Sequence, residues 1–264
     1  MKNIYNSFII IVLAVLLSNC QKSIRPSKAE IKTDQTWVSL FNGVDLDSWN
    51  VKIKGHPLGD NWNNTFVVVD SAIRVNYKSY TNFESSFGHI FYKNPYSNYK
   101  LKLDYRFIGE QISGGENWAH KNSGVMIHCQ SPESMELNQD FPVSLEVQLL
   151  GGLTKGEKRS TGNLCTPGTH VMMNNELVTA HCIDSNSDTY YDEEWVELEV
   201  VVWNDSIISH FINGKKVIEY TKPVIGGEYN SLSEKELYPL KNGFISLQSE
   251  SHPVEFKNIM LLEL

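Results

Sequence analysis

The stretch "NYKLKLDYRFI" at residues 98–108 places Tyr99, Leu101, Leu103, Tyr105 and Phe107 on one face and Lys100, Lys102, Asp104 and Arg106 on the other. Strict alternation of this kind is the period of a half-buried antiparallel strand, because successive side chains of an extended backbone point to opposite faces. The same period recurs outward in both directions. "TFVVVD" (65–70), "AIRVNY" (72–77) and "FGHIFY" (87–92) precede it. "WVELEVVVWN" (195–204), "SIISHFI" (206–212), "KVIEY" (216–220), "GFISLQSE" (243–250) and "VEFKNIMLLEL" (254–264) follow. Asn213-Gly214 is a hairpin signal, since both residues accept positive φ at little cost. No window of helical length carries a 3.6-residue period, and "SLSEKELYPL" (231–240) has room for one helical turn. Roughly a dozen short strands with turn signals between them, and no internal boundary or repeat, predict one all-β domain over 37–264. Two stacked antiparallel sheets, one of them curved, make a jelly roll. Trp37, Trp49, Trp195 and Trp203 fall in strand patterns and are expected in its core.

The chain has 264 residues, 41% hydrophobic and 20% charged, which is a globular composition. Its net charge of −8 is uneven. Residues 1–36 hold five basic and two acidic residues, and the remainder holds 18 and 29. An acidic domain is a poor partner for nucleic acid, which needs clustered Lys and Arg. A neutral, polar substrate fits better.

The first 36 residues read as export and tethering. Lys2 precedes the apolar run "FIIIVLAVLL" (8–17), which is too short to cross a bilayer as a helix. The run ends in "LLSNC" (16–20), a pattern similar to a bacterial lipoprotein signal. Residues 1–19 are then the signal peptide and Cys20 the lipidated residue. "QKSIRPSKAEIKTDQT" (21–36) is polar and unpatterned and completes a flexible tether over 20–36. The expected location is the outer membrane, anchored by lipid and facing the periplasm. Cys129, Cys165 and Cys182 remain, and an exported protein can hold disulfides. Cys165–Cys182 is the favoured bond, closing the loop-rich segment between them. Cys129 lies in an apolar strand pattern and is expected to be buried.

Several strands carry polar residues opposite their apolar face. In "VSLEVQLLGG" (143–152), Val143, Leu145, Val147 and Leu149 alternate with Ser144, Glu146 and Gln148. In "NSGVMIHC" (122–129), Val125 and Ile127 point inward, so Asn122, Gly124, Met126 and His128 are expected outward. In "ISLQSE" (245–250), Ser246, Gln248 and Glu250 take the outward positions. "GTHVMMNNELVTAHC" (168–182) places His170 and His181 on either side of an Asn174-Asn175 turn. Trp118 and His120 stand just before one of these strands, in "GENWAHKNSG" (115–124). Gln, Asn, Glu and His on adjacent strands, with a Trp able to stack on a ring, are the groups a sugar site needs. No His-x-x-x-His, His-Glu-x-x-His or Gly-x-Ser-x-Gly motif is present. "DSNSD" (184–188) resembles half a calcium loop without its later Glu. No cofactor is expected, with a divalent cation as the minor alternative.

These pieces together resemble the 3-keto-disaccharide hydrolase domain family. The resemblance rests on "LFNGVDLDSW" (40–49), "NSGVMIH" (122–128), "LEVQLLGG" (145–152), "HFINGKKVIEY" (210–220) and "GFISLQSESHPVEFKNI" (243–259), in that order. It implies a concanavalin A-like jelly roll and a carbohydrate-active enzyme that cleaves 3-keto glycosides. The chain departs from the family in carrying His128 where an Arg is common and Gly151 where an Asp is common. It also has "QSESHP" in place of Gln-Asp-His-Gly. Against the Glu-x-Asp-x-x-Glu strand of concanavalin A-like β-glucanases, Glu146 keeps the first position, while Gln148 and Gly151 replace the other two. One carboxyl of a glycosidase pair has therefore gone from this strand, and ordinary double displacement on an unmodified glycan is not expected.

A 3-keto sugar needs only one base, because its ketone acidifies the C2 proton and the resulting enediolate can expel the C1 substituent. Glu146 or His181 is the expected base. Gln148, Asn122 and His128 are expected to orient hydroxyls or stabilise the enediolate, with His170, Gln248, Trp118 and His120 lining the site. The alternatives are a non-catalytic glycan-binding module and, less favoured, a glycosidase on unmodified glucans.

Overall fold

The computed structural model describes residues 36–191 and 193–264. The expected signal peptide, the lipidation residue Cys20 and all of the expected tether but Thr36 lie outside the described residues. In chain order the strands are β1 (Val38–Ser39), β2 (Trp49–Ile53), β3 (Phe66–Val69), β4 (Ala72–Val75), β5 (Gly88–Tyr92), β6 (Asn98–Phe107), β7 (Asn122–Cys129) and β8 (Leu145–Leu150). Then come β9 (Asn163–Cys165), β10 (Thr169–Met173), β11 (Glu176–Val178), β12 (Cys182–Ile183), β13 (Val196–Trp203), β14 (Ile207–Ile212), β15 (Lys215–Ile225), β16 (Phe244–Ser249) and β17 (Val254–Glu263).

Two antiparallel sheets stack as a jelly-roll sandwich. The larger runs β11-β10-β15-β14-β13-β6-β17-β4-β3, with β1 paired to β17. The smaller runs β12-β9-β8-β7-β16-β5-β2. β6 is the spine of the larger sheet. Its buried and half-buried residues alternate without a break over ten positions, and Tyr99, Leu101, Leu103, Tyr105 and Phe107 are the buried set. Leu103 pairs with Leu198 of β13, and Leu101 pairs with Leu261 of β17. These side chains meet Val125, Ile127, Val147, Leu149, Ile245 and Leu247 of the smaller sheet in one apolar core.

The smaller sheet is buried on its other face as well. Every residue of β5 and β7 is buried. Phe91, Met126 and Cys129 form a second apolar cluster there with Met135, from the connection between β7 and β8. Phe141, from the same connection, meets the ring of His89 edge-on. Polar residues on this face thus lie under loops rather than in open water.

Asn213-Gly214 turns β14 into β15, and Asn174-Asn175 turns β10 into β11, all four at positive φ. Residues 231–240 hold a single 3-10 turn at Ser233–Lys235. Of the four tryptophans expected in the core, only Trp49 is buried. Trp203 shares the outward parity of Glu197 on β13 and is 45% exposed. Trp195 lies outside the core beneath two cations, Lys257 Nζ at 3.8 Å and Arg106 Cζ at 4.5 Å from its ring centre. Trp37 is half-buried, with Lys102 over its ring. No helix among the described residues is long and apolar enough to cross a membrane.

The alternation on β6 is directly testable by urea denaturation. Leu103→Ala should lower the unfolding free energy by about 2–5 kcal/mol, as expected for a large-to-small change in a closed core. Lys100→Ala, one face away, should stay within about 0.5 kcal/mol of wild type.

Candidate active site

Register across the smaller sheet aligns its outward side chains in rows. Lys52 pairs with His89, and His89 with Gln248. Leu247 pairs with Val125, which sets Gln248 beside Gly124. Gly124 pairs with Gln148, and Gln148 with Asn163. The next row runs Phe91, Ser246, Met126, Glu146, Cys165 and Cys182. Gly124 is the gap in this array. A Cβ at that position would lie 2.5 Å from Glu146 Oε1, so the carboxyl of Glu146 leans into the space the missing side chain leaves.

A cavity of about 310 Å³ opens over these rows. Asn122, Glu146, Gln148 and Glu250 give it polar groups. Cys165 and Cys182, joined by a disulfide, form part of its wall. Trp118, Phe141, Tyr229 and His181 line its aromatic side. Ring contacts run without interruption from Trp118 through Phe87, Phe141 and Tyr229 to His181. Trp118 and Tyr229 remain 52% and 47% exposed, an open aromatic surface for a ring to stack on. Arg159 enters from the connection between β8 and β9.

Burial governs the electrostatics. Glu146 is 7% exposed and Glu250 3% exposed. Desolvation disfavours a charged carboxylate, and it pushes Glu146 up to about 8. Glu250 is also raised, first by burial and then by repulsion from Glu146. His181 is lowered by burial, partly offset by Glu228 and by a hydrogen bond with the Thr166 backbone. Gln148 Oε1 accepts from Asn163 Nδ2 at 3.2 Å, which leaves the Gln148 amide nitrogen for a ligand. Both polar atoms of Gln248, Asn122 Oδ1, Glu250 Oε2 and His89 Nε2 are buried without a protein partner. Leaving a buried polar group unsatisfied costs about 1–3 kcal/mol, so such a cluster is a place for a polar ligand or water.

The expected site residues separate into two groups. Glu146, His181, Gln148, Asn122 and Trp118 line one cavity, and Gln248 lies in the polar row beneath it. His128 does not face this side. β7 carries a bulge opposite Ile245, and His128 sits in it at φ 50°. The extra residue reverses its direction, so the ring packs against Tyr99 and Nε2 meets the Asn204 carbonyl, across the sandwich. His170 belongs to the larger sheet, since β10 pairs with β15. Its ring lies against Gly226 and Gly227 and lines a second, smaller pocket with Glu228 and His181. His120 packs on His252 and does not line the main cavity.

Gly151 leaves the β8 strand with one acid, and a second carboxyl, Glu250, not among the expected site residues, reaches the cavity from the end of β16. Its signal was in the sequence, because it has the same outward parity as Ser246 and Gln248. Arg159, Phe141 and Tyr229 sit in connections, where no period announces a direction. Among the described residues, no three His, Cys, Asp or Glu side chains are placed to hold a metal ion.

Comparison with known proteins follows the same lines. A crystal structure of a Parabacteroides distasonis protein provisionally assigned as a glycosyl hydrolase superposes with a TM-score of 0.54 at 20% identity, covering 88% of this chain and 95% of that one. A second such protein from the same organism gives 0.52 at 18% identity, covering 87% of this chain and 100% of that one. At these identities the likeness concerns the fold. No protein of curated function matches the chain. The model of the 3-keto-alpha-glucoside-1,2-lyase-like domain matches residues 36–262, nearly all of the described chain, and the protein therefore belongs to that carbohydrate-related family.

Proposed function

We propose that the domain cleaves the glycosidic bond of 3-keto glycosides by proton abstraction and elimination. The observation that carries this reading is the buried pair Glu146 and Glu250 in one cavity, both raised by desolvation. Repulsion between the two favours the state in which one is ionised and the other keeps its proton. One member is thus a strong base and the other a neutral acid. His181 is lowered by burial and is the weaker base of the two candidates.

The base takes the C2 proton, and the C–H electrons form C2=C3 with negative charge on the C3 oxygen. As the ketone reforms, those electrons move to C1=C2, the C1–O bond breaks, and Glu250 protonates the departing oxygen. The product is an unsaturated 3-keto sugar, and addition of water across C1=C2 completes a net hydrolysis. Gln148, Asn122 and Gln248 are suited to the ring hydroxyls, and Trp118 to the sugar face. Given the apolar run and Cys20, the setting proposed for this reaction is the periplasmic side of the outer membrane.

The carboxyl pair also fits a second reading, a glycosidase on unmodified glycans. Double displacement needs one carboxylate ionised as nucleophile while the other stays protonated, and elimination needs the same two states in base and acid. The match to the 3-keto-alpha-glucoside-1,2-lyase-like domain is what favours elimination here.

Three outcomes follow. Wild-type protein should release aglycone from a 3-keto glucoside and leave the unoxidised parent intact, with Glu146→Gln lowering kcat by about 10²–10⁴-fold. Turnover of the parent would establish the glycosidase, and binding of both compounds without turnover a lectin-like module. Second, kcat/KM should climb with pH up to about 8, because the base must lose its proton. The same raised value means that the folded protein holds a proton the unfolded chain releases, so stability should fall as pH rises from about 4.5 to about 8. Thermal melts at pH 5 and pH 8.5 should show a smaller drop for Glu146→Gln. Third, Gly124→Ala should displace the Glu146 carboxyl and cost about 10²-fold in kcat, while the melting curve shows the protein still folded.

A further inference from the structure

We propose that Arg159 is a catalytic residue of this cavity, its guanidinium taking the charge that develops on the C3 oxygen as the C2 proton leaves. This rests on the elimination reading above and supplies what that reading lacks, a fixed positive group for the enediolate.

The argument begins with how the side chain is held. Nη1 of Arg159 donates to the carbonyls of Gly151 at 2.7 Å, His120 at 2.8 Å and Lys121 at 3.3 Å. Carbonyls fix the plane of a guanidinium without cancelling its charge. Arg74 and Arg106, the other described arginines, both pair with the buried carboxylate of Glu255 on the opposite sheet. Arg159 pairs with no carboxylate among the described residues, although it lines a cavity that contains two carboxyls. Both of those are biased toward their neutral forms. A partly buried, uncompensated cation is costly to keep, and burial lowers its pKa accordingly. Such a cost is expected where the missing negative charge arrives with the reaction.

The geometry also gives Gly151 a reason. A Cβ there would come within 3.0 Å of Phe107 and 3.1 Å of Lys121. The absence of a side chain lets the 120–121 and 151 segments close on one guanidinium. Gly151, just past the strand end at Leu150, thus contributes a carbonyl that aims a cation.

The test follows the C2 proton separately from bond cleavage. A 3-keto glucoside is incubated in D2O, with C2–H exchange and aglycone release both read by NMR. Arg159→Gln should lower kcat and the exchange rate about 10²–10³-fold, with KM within about threefold of wild type and the melting curve preserved. Arg159→Lys, which keeps the charge without the three-carbonyl clamp, should fall between the two, and added guanidinium should restore part of the activity of Arg159→Ala. Exchange by Arg159→Gln within threefold of wild type, or a loss confined to KM, would overturn the role. Should Arg159→Gln fail to fold, wild-type rates in Arg159→Lys together with no guanidinium rescue of Arg159→Ala would overturn it equally. Wild-type protein that neither exchanges C2–H nor releases aglycone would instead remove the elimination reading, and the Arg159 role with it.

Discussion

The period of two along a β-strand, imposed on a sheet that is buried on both faces, is the constraint from which the site follows. β7, β8 and β16 each send their aliphatic residues into the sandwich, among them Val125, Val147 and Leu247. The intervening residues must then point the other way. Connections carrying Met135, Phe141 and Tyr229 close over that second face, so Glu146, Gln248 and Glu250 end up buried although they lie outside the main core. An uncovered sheet would have left the same residues in water as an ordinary solvated face.

Desolvation is the second half of the same constraint. It raises two carboxyls on one wall, and repulsion from Glu146 adds to the raise on Glu250. Across the molecule the protein handles buried charge differently. Glu255 is nearly inaccessible too, but it is satisfied by Arg74 and Arg106. Unpaired buried carboxyls in a cavity are candidates for chemistry, whereas the paired carboxylate on the opposite sheet is satisfied within the fold.

Much of the fold was legible because its signals are local. The alternation of β6, the Asn-Gly and Asn-Asn turns, and the outward parity of Glu146, Gln148 and Gln248 all read directly from neighbouring residues. His128 was misread because a bulge inserts one residue and reverses every direction after it, and nothing in "NSGVMIHC" announces the bulge. His170 was misplaced because a histidine in a strand does not say which sheet the strand joins. Trp203 follows the alternation of its own strand, which outweighs the preference of tryptophan for the interior.

The sequence by itself determined the strand character of the chain, its hairpins, its family and the presence of an outward Glu and Gln on one strand. Only the tertiary structure decided which polar residues share a cavity. Glu146 and Glu250 are brought together by β7 lying between β8 and β16, a pairing of segments more than a hundred residues apart in the chain. Arg159 joins them because three backbone carbonyls from two separate loops converge on it. Period and turn chemistry act between neighbours and are written in the chain, whereas long-range register and loop closure are settled by packing the whole core at once.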